Sequence, residues 1–368
     1  MQTQFRLMVT LAALVAAAAQ AEVPLYRVHD LGVLPGGVDS GARAINDRGD
    51  VAGDMRYENG TWQAFLYRNG QMQGLGTLGW RSSFAADINN RGDVVGRIDG
   101  GDPGSPVHRP FLYRDGRMID LQPVLDVSQG FAWGINNSGH IVGVSDKGAF
   151  FYDGSRARFL EIPGGSGWAN EINDQDAVVG RAYLEDCSCA KSFVWRDGVT
   201  TVLPDPPGHL PGYDEYEARD INNAGQILVH KDFSYVSLNR EFIYSDGVYT
   251  AINFVNGSAL DINERGWVVG YDYYERAMLY RDGESYRLND LLVPEDAVHW
   301  DLAYASGIND RGVIAGIGHL DNQWRAFIAT PVPEPGTAAT LLAGLGMVGW
   351  AARRRAARSH ASGCAGTT

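Results

Sequence analysis

Lysine is nearly absent from this 368-residue chain. Lys147, Lys191 and Lys231 stand against 44 acidic residues, and the formal net charge is −13. A surface that acidic repels phosphate backbones, which excludes nucleic acid as a partner. Cysteine is also scarce, at three residues, too few for a disulfide scaffold. Cys364 lies in the far C-terminal tail, while Cys187 and Cys189 share one loop as Cys-Ser-Cys. These two form a local disulfide or stay free thiols; a metal site would need ligands that no nearby His or Cys supplies. Also missing are Gly-x-Ser-x-Gly, His-Glu-x-x-His, a phosphate loop and a dinucleotide fingerprint. The eight histidines are scattered without ligand spacing. No catalytic residue, metal ligand or cofactor is assigned on these grounds.

Long apolar runs occur only at the two ends. Arg6 precedes the apolar stretch 7–18, and Ala19-Gln20-Ala21 closes it with a small-x-small cleavage pattern. The run is too short to span a membrane and reads as a signal peptide, residues 1–21, cut by signal peptidase. At the other end Val332-Pro333-Glu334-Pro335-Gly336 leads into the apolar stretch 337–352, and Arg353, Arg354, Arg355 and Arg358 follow. Two prolines stop any preceding strand. Sixteen apolar residues make a short transmembrane helix, and the arginines hold its end on the cytoplasmic side. Without Arg6 and the four tail arginines, the exported body falls to a net charge of about −18.

Between these ends, at residues 22–331, one pattern recurs. Ile-Asn-x-x-Gly, or a close variant, places Asn at 46, 89, 136, 173, 222, 263 and 309. The mean spacing is about 44 residues, the period of a four-stranded propeller blade. In the fourth copy Asp176 replaces the glycine. Each unit holds four short β-type runs, illustrated by 85–89, 93–96, 111–114 and 118–121, joined by Asn-x-x-Gly and Asp-Gly turns. The seventh unit ends at Ala329 and Pro331 without a fourth run, whereas the segment 26–32 looks like an orphan fourth strand. Pairing the two closes a ring and hides both edges. The expected fold is therefore all-β: a seven-bladed propeller closed by its N-terminal strand, plus a C-terminal transmembrane helix.

Two resemblances bear on this plan. The Pro-Glu-Pro motif, short apolar helix and arginine cluster resemble the PEP-CTERM sorting tail of Gram-negative bacteria. That resemblance implies an exosortase partner, cleavage near Pro333-Glu334-Pro335, an inner-membrane intermediate and final placement in the envelope or extracellular matrix. The tail covers 332–358, leaving 359–368 as a disordered extension. The repeats resemble extracellular HAF repeats through Ala64-Phe65, Ala149-Phe150 and Ala326-Phe327, although Gln63, Gly148 and Arg325 replace the usual histidine. That resemblance implies an exported β-repeat body and no particular chemistry.

If the strand order is right, the uniform turns share one face, and the variable connections 97–109, 181–191, 204–217 and 230–240 rise from the other. Variable loops on a rigid scaffold are where binding usually sits. Trp80, Trp168, Tyr213 and Trp300 are the aromatic candidates for a sugar or peptide ligand, although such rings also pack between blades. Asp87, Asn89 and Asp93 invite a calcium reading, but Arg91 occupies a ligand position; an Asx-turn with a left-handed glycine explains the motif better. Arg48-Gly49-Asp50 and Arg91-Gly92-Asp93 spell an adhesion tripeptide only because the repeat turn does. These features point to a non-enzymatic envelope or matrix module that binds polysaccharide or a surface protein. The alternative is a polysaccharide hydrolase or lyase whose carboxylates meet at the propeller axis.

Overall fold

The computed structural model describes residues 23–102, 105–184, 189–207, 214–233, 240–255 and 257–333. Among them are seven four-stranded antiparallel sheets. Six sheets take four consecutive strands each, at 37–74, 82–120, 130–159, 166–202, 214–252 and 258–287. The seventh orders its strands Tyr26–Asp30, Gln323–Pro331, Ile314–Leu320 and Trp300–Ile308. The N-terminal strand thus supplies the fourth strand missing from the last repeat. Just beyond it, the Leu31 N–H donates to the Ala326 carbonyl at 3.0 Å.

The core lies between blades, where each sheet lays one face on the next. Phe65, Phe111, Phe150, Phe193 and Phe327, all from third strands, are fully buried. Each such ring contributes about 1.5–3 kcal/mol by leaving water. The facing second strand must make room. A Cβ on Gly96 would stand 2.0 Å from the Phe84 carbonyl oxygen and 2.9 Å from the Phe111 ring, which is why Val-Val-Gly recurs there.

The repeated asparagine sets the blades in a ring. In each turn its Oδ1 accepts backbone N–H groups, as when Asn89 accepts those of Arg91 and Asp93, both at 3.0 Å. Its Nδ2 donates to the carbonyl of the next blade's Asn at 2.9–3.1 Å, through all seven blades. A second ring runs beside it: the N–H of the following residue donates to the side-chain oxygen of its counterpart in the next blade. The motif is therefore an Asx-turn and an inter-blade tie, with its oxygens committed to N–H groups. The adhesion tripeptides are likewise absorbed. Asp50 and Asp93 are buried, and they pair with Arg68 at 3.0 Å and with Arg114 at 2.9 Å.

Parts of all four variable connections prove regular, most of all 97–109, since strands run through 181–184, 189–191, 214–217 and 230–233 as well. The second and third strands of the second blade run on as Val94–Asp102 and Ser105–Arg114, paired out to Asp102 and Ser105. Main-chain pairing needs no alternating side chains, so the sequence pattern there gave no strand signal. Among the described residues no helix is long and apolar enough to cross a membrane. The apolar run 337–352, the arginine cluster, Glu334, Pro335, Ala19 and Ala21 all lie outside the described residues. Val332 and Pro333 lie inside, and the Val332 N–H donates to the Leu25 carbonyl at 2.7 Å.

Candidate functional site: the axial channel and an aromatic cleft

The innermost strand of each blade carries a β-bulge at the same place. The register shifts between Ala42 and Ala44, Ala85 and Asp87, Ala132 and Gly134, and Ala169 and Glu171. It shifts again at Ala218/Asp220, Ala259/Asp261 and Ala305/Gly307. A bulge sets two residues against one, so consecutive side chains turn to the same side. The skipped residues, Arg43, Ala86, Trp133, Asn170, Arg219, Leu260 and Ser306, therefore line the axis, joined from the next position by Ala44, Asp87, Glu171, Asp220 and Asp261. An Ala stands three places before Ile in every copy of the motif. That shared small residue is the sequence signal that could have located the bulge.

Two cavities lie along the axis. One, of about 260 Å³, is lined by all seven Ile-Asn turns and by Asp87, Glu171, Asp220 and Asp261. The three aspartates stitch blades together, while Glu171 accepts the N–H of Ile172 in its own blade. Asp87 accepts the N–H of Ile88 and, across the blade boundary, that of Ile135, at 2.7 and 2.8 Å. Asp220 does the same for Ile221 and Ile262, and Asp261 accepts from Ile308. Burial pushes all four carboxyls upward, Asp87 to about 6 and Glu171 and Asp261 well above the usual carboxylate range. A side-chain hydrogen bond between Asp261 and Asp220 adds to the rise of the first and opposes that of the second. Carboxylates do meet at the axis, as the hydrolase reading requires, but their oxygens are largely committed to the backbone.

Toward the variable face the channel widens to about 440 Å³, bordered by Arg43, Asp54, Phe84, Arg97, Trp133 and Asn170. Arg43 donates from Nε to Asp54 at 2.8 Å, and Asp54 also accepts the Ala85 N–H at 2.7 Å. Burial raises the Asp54 carboxyl, and Arg43 and Arg97 pull against that rise. Arg97 and Trp133 also border an aromatic cleft of about 670 Å³ with His108, Phe131 and Trp168. The Phe131 and Trp133 rings stack, with centroids 5.3 Å apart and planes 2° apart. The Arg97 guanidinium lies 4.5 Å from the Phe84 centroid and 5.5 Å from that of Phe131. Its Nε is held by both Asp99 oxygens at 3.1 Å, and His108 Nδ1 stands 2.7 Å from Asp99 Oδ1.

Of the aromatic candidates, Trp168 lines this cleft and is 42% exposed. Trp80 packs on the backbone at Gly100, where a Cβ would come within 1.9 Å of the indole, and Arg109 lies 4.6 Å from its ring. Trp300 is buried edge-to-face against Phe327. Tyr213 and Cys187 lie outside the described residues, and Cys189 is disulfide-bonded. Trp133, Phe131, Arg97 and His108 were not singled out in the sequence. Phe131 and Trp133 lie on the innermost strand of their blade, away from the variable connections, whereas Arg97 and His108 fall within the connection 97–109 but are not aromatic platforms of the Trp and Tyr kind.

Residues 331–355 match the PEP-CTERM protein-sorting motif. No match was found among curated proteins. Among solved structures, the chain is similar to the extracellular domain of a hybrid two-component system from B. thetaiotaomicron, at 10% identity and a TM-score of 0.49. It covers 82% of this chain and 39% of that one. A puromycin-hydrolysing peptidase of Mycobacterium tuberculosis is similar at 13% identity and a TM-score of 0.42, covering 76% and 49%. Dipeptidyl peptidase 4 of Porphyromonas gingivalis is similar at 12% identity and 0.43, covering 79% and 50%. The chain thus spans half or less of the length of these three proteins.

Proposed function

We infer from the sorting motif at residues 331–355 that this is an exported, exosortase-sorted protein. From that premise, we propose that its propeller is a non-enzymatic carbohydrate-binding module of the cell envelope or extracellular matrix. The carrying observation is the aromatic cleft: Trp133 and Trp168 border one concave, polar-rimmed space on the variable face. Indole faces give sugars an apolar platform at little entropic cost, and the charged rim orients hydroxyl or acidic groups. A glycan array probed with the full chain tests this, with Trp133→Ala and Trp168→Ala as controls. Retention of specific glycans by the native chain, with at least tenfold weaker binding by either variant, is the expected result. A blank array, or binding indifferent to both substitutions, would overturn it.

The axial carboxylates favour a second reading, hydrolysis. We rank it lower because Asp87 and Asp220 each spend both oxygens on N–H groups of the scaffold. Release of reducing ends from a bound polysaccharide, abolished by Asp261→Asn in a chain that still binds, would reverse that ranking.

A further inference from the structure

We infer that the cleft and channel mouth take an acidic sugar, the carboxylate of a uronate residue lying against Arg97 and Arg43 with its ring on Trp133. The inference rests on the binding reading above. It follows from which hydrogen-bonding groups are used and which are left over. At the mouth the carboxylates are engaged. Asp54 accepts from Ala85 and Arg43, Asp99 from Arg97 and His108, and Glu217 from Asn170 and Arg219. The donors are not. Arg43 and Arg97 are each tied only through Nε, and among the described residues no protein group accepts from their terminal nitrogens.

That arrangement fixes two guanidiniums by their inner edge and leaves the outer forks unpaired. Arg43 is 48% exposed and Arg97 28%, so both are reachable. Its place over the Phe84 and Phe131 rings holds Arg97 against the cleft wall. A hydroxyl both donates and accepts, and here it would find few free acceptors. A carboxylate only accepts, and a planar guanidinium fork matches it in two parallel bonds. Trp133 borders both the cleft and the channel mouth, so a ring seated on it brings a substituent within the reach of both arginines.

Oligogalacturonate and oligomannuronate, each alongside its methyl ester, provide the test. The ester keeps the ring, linkage and size and removes only the charge. Binding of the full chain is measured by calorimetry at low and high salt. The free acid of one series should bind at least tenfold more tightly than its ester, and the gap should narrow in salt. Arg97→Gln and Arg43→Gln should each weaken acid binding at least tenfold more than ester binding, in chains that still melt cooperatively. Arg97→Lys should recover only part of it, since it restores charge without the fork. Equal affinity for acid and ester overturns the inference and leaves the carbohydrate reading standing. Binding of tetraglutamate as tight as that of the acid overturns it in favour of an acidic peptide. Failure of both acids and both esters to bind overturns the inference, and a blank glycan array beside it overturns the carbohydrate reading as well.

Discussion

Asn309 Nδ2 donates to the Asn46 carbonyl at 3.0 Å across 263 residues of chain. This bond is the last link of the asparagine ring, and it joins the seventh blade to the first. The other six links are chemically identical and join neighbours in sequence, so only this one reports on closure. The same Asn309 accepts the N–H groups of Arg311 and Val313 at 3.1 Å.

Asn309→Ala removes all three bonds inside a buried turn and strands their partners. Each unmet group costs about 1–3 kcal/mol, so the melting temperature should fall by several degrees. Asn309→Asp keeps the Oδ1 acceptor and loses only the donor, so it should fall between. Thermal melts of the three chains check the order. An Asn309→Ala chain that melts with the parent would show the ring to be incidental to stability.

Closure also depends on the first strand. Deleting 26–30 leaves Gln323–Pro331 as an unpaired edge, a template for association. Size-exclusion chromatography should then show oligomers or aggregate, with a lower and broader melt. A monomeric deletion chain with a sharp melt would mean that the ring does not need its clasp.

The blade count, the strand order and the clasp could all be read from the sequence, because each depends on local chemistry repeated seven times. Ile-Asn-x-x-Gly names a turn by itself, and a missing fourth run is visible as a deficit. The site was harder to read. Trp133 reaches the axis only because the innermost strand bulges beside Ala132, and Arg97 lies in a stretch taken for a loop. Trp80 and Trp300 looked equal to Trp168 as letters. Packing against Gly100 and Phe327 separates them, and those contacts cross the chain in ways a repeat pattern does not encode.

The turn glycine offers a check on local strain. Gly92 has φ +83°, and a Cβ there would lie 1.4 Å from Arg68 Nη2. Gly92→Ala should therefore destabilise by about 1–3 kcal/mol, from the left-handed backbone and the displaced arginine. The fourth blade already carries Asp176 at φ +60°, where its carboxylate accepts from Asn136 Nδ2 at 2.8 Å and stands 2.7 Å from His140 Nδ1. Asp176→Gly relieves little strain and loses those contacts, so it should destabilise as well. Denaturant unfolding of both chains reads this out. A stabilised Asp176→Gly would show that the contacts do not offset the strain.

The axial acids set the sign of the pH dependence. Asp87, Glu171, Asp220 and Asp261 are all held above their unfolded values by burial, and across the axis Glu171 feels the other three. A carboxyl raised in the folded state contributes its stability below the unfolded value of about 4 and loses it as pH climbs through the folded value. With Asp87 held near 6, its share of the loss falls between about pH 4 and pH 6, and Glu171 and Asp261, raised as well, add to it in the same direction. The melting temperature should therefore drop as the pH climbs from about 4 through 6. Asp261→Asn keeps a donor for Asp220 and cannot ionise, so its melt should be flatter over that interval and higher at pH 8. Parallel melts of parent and variant decide the matter. Equal slopes in the two chains would place the titrating group somewhere other than the axis.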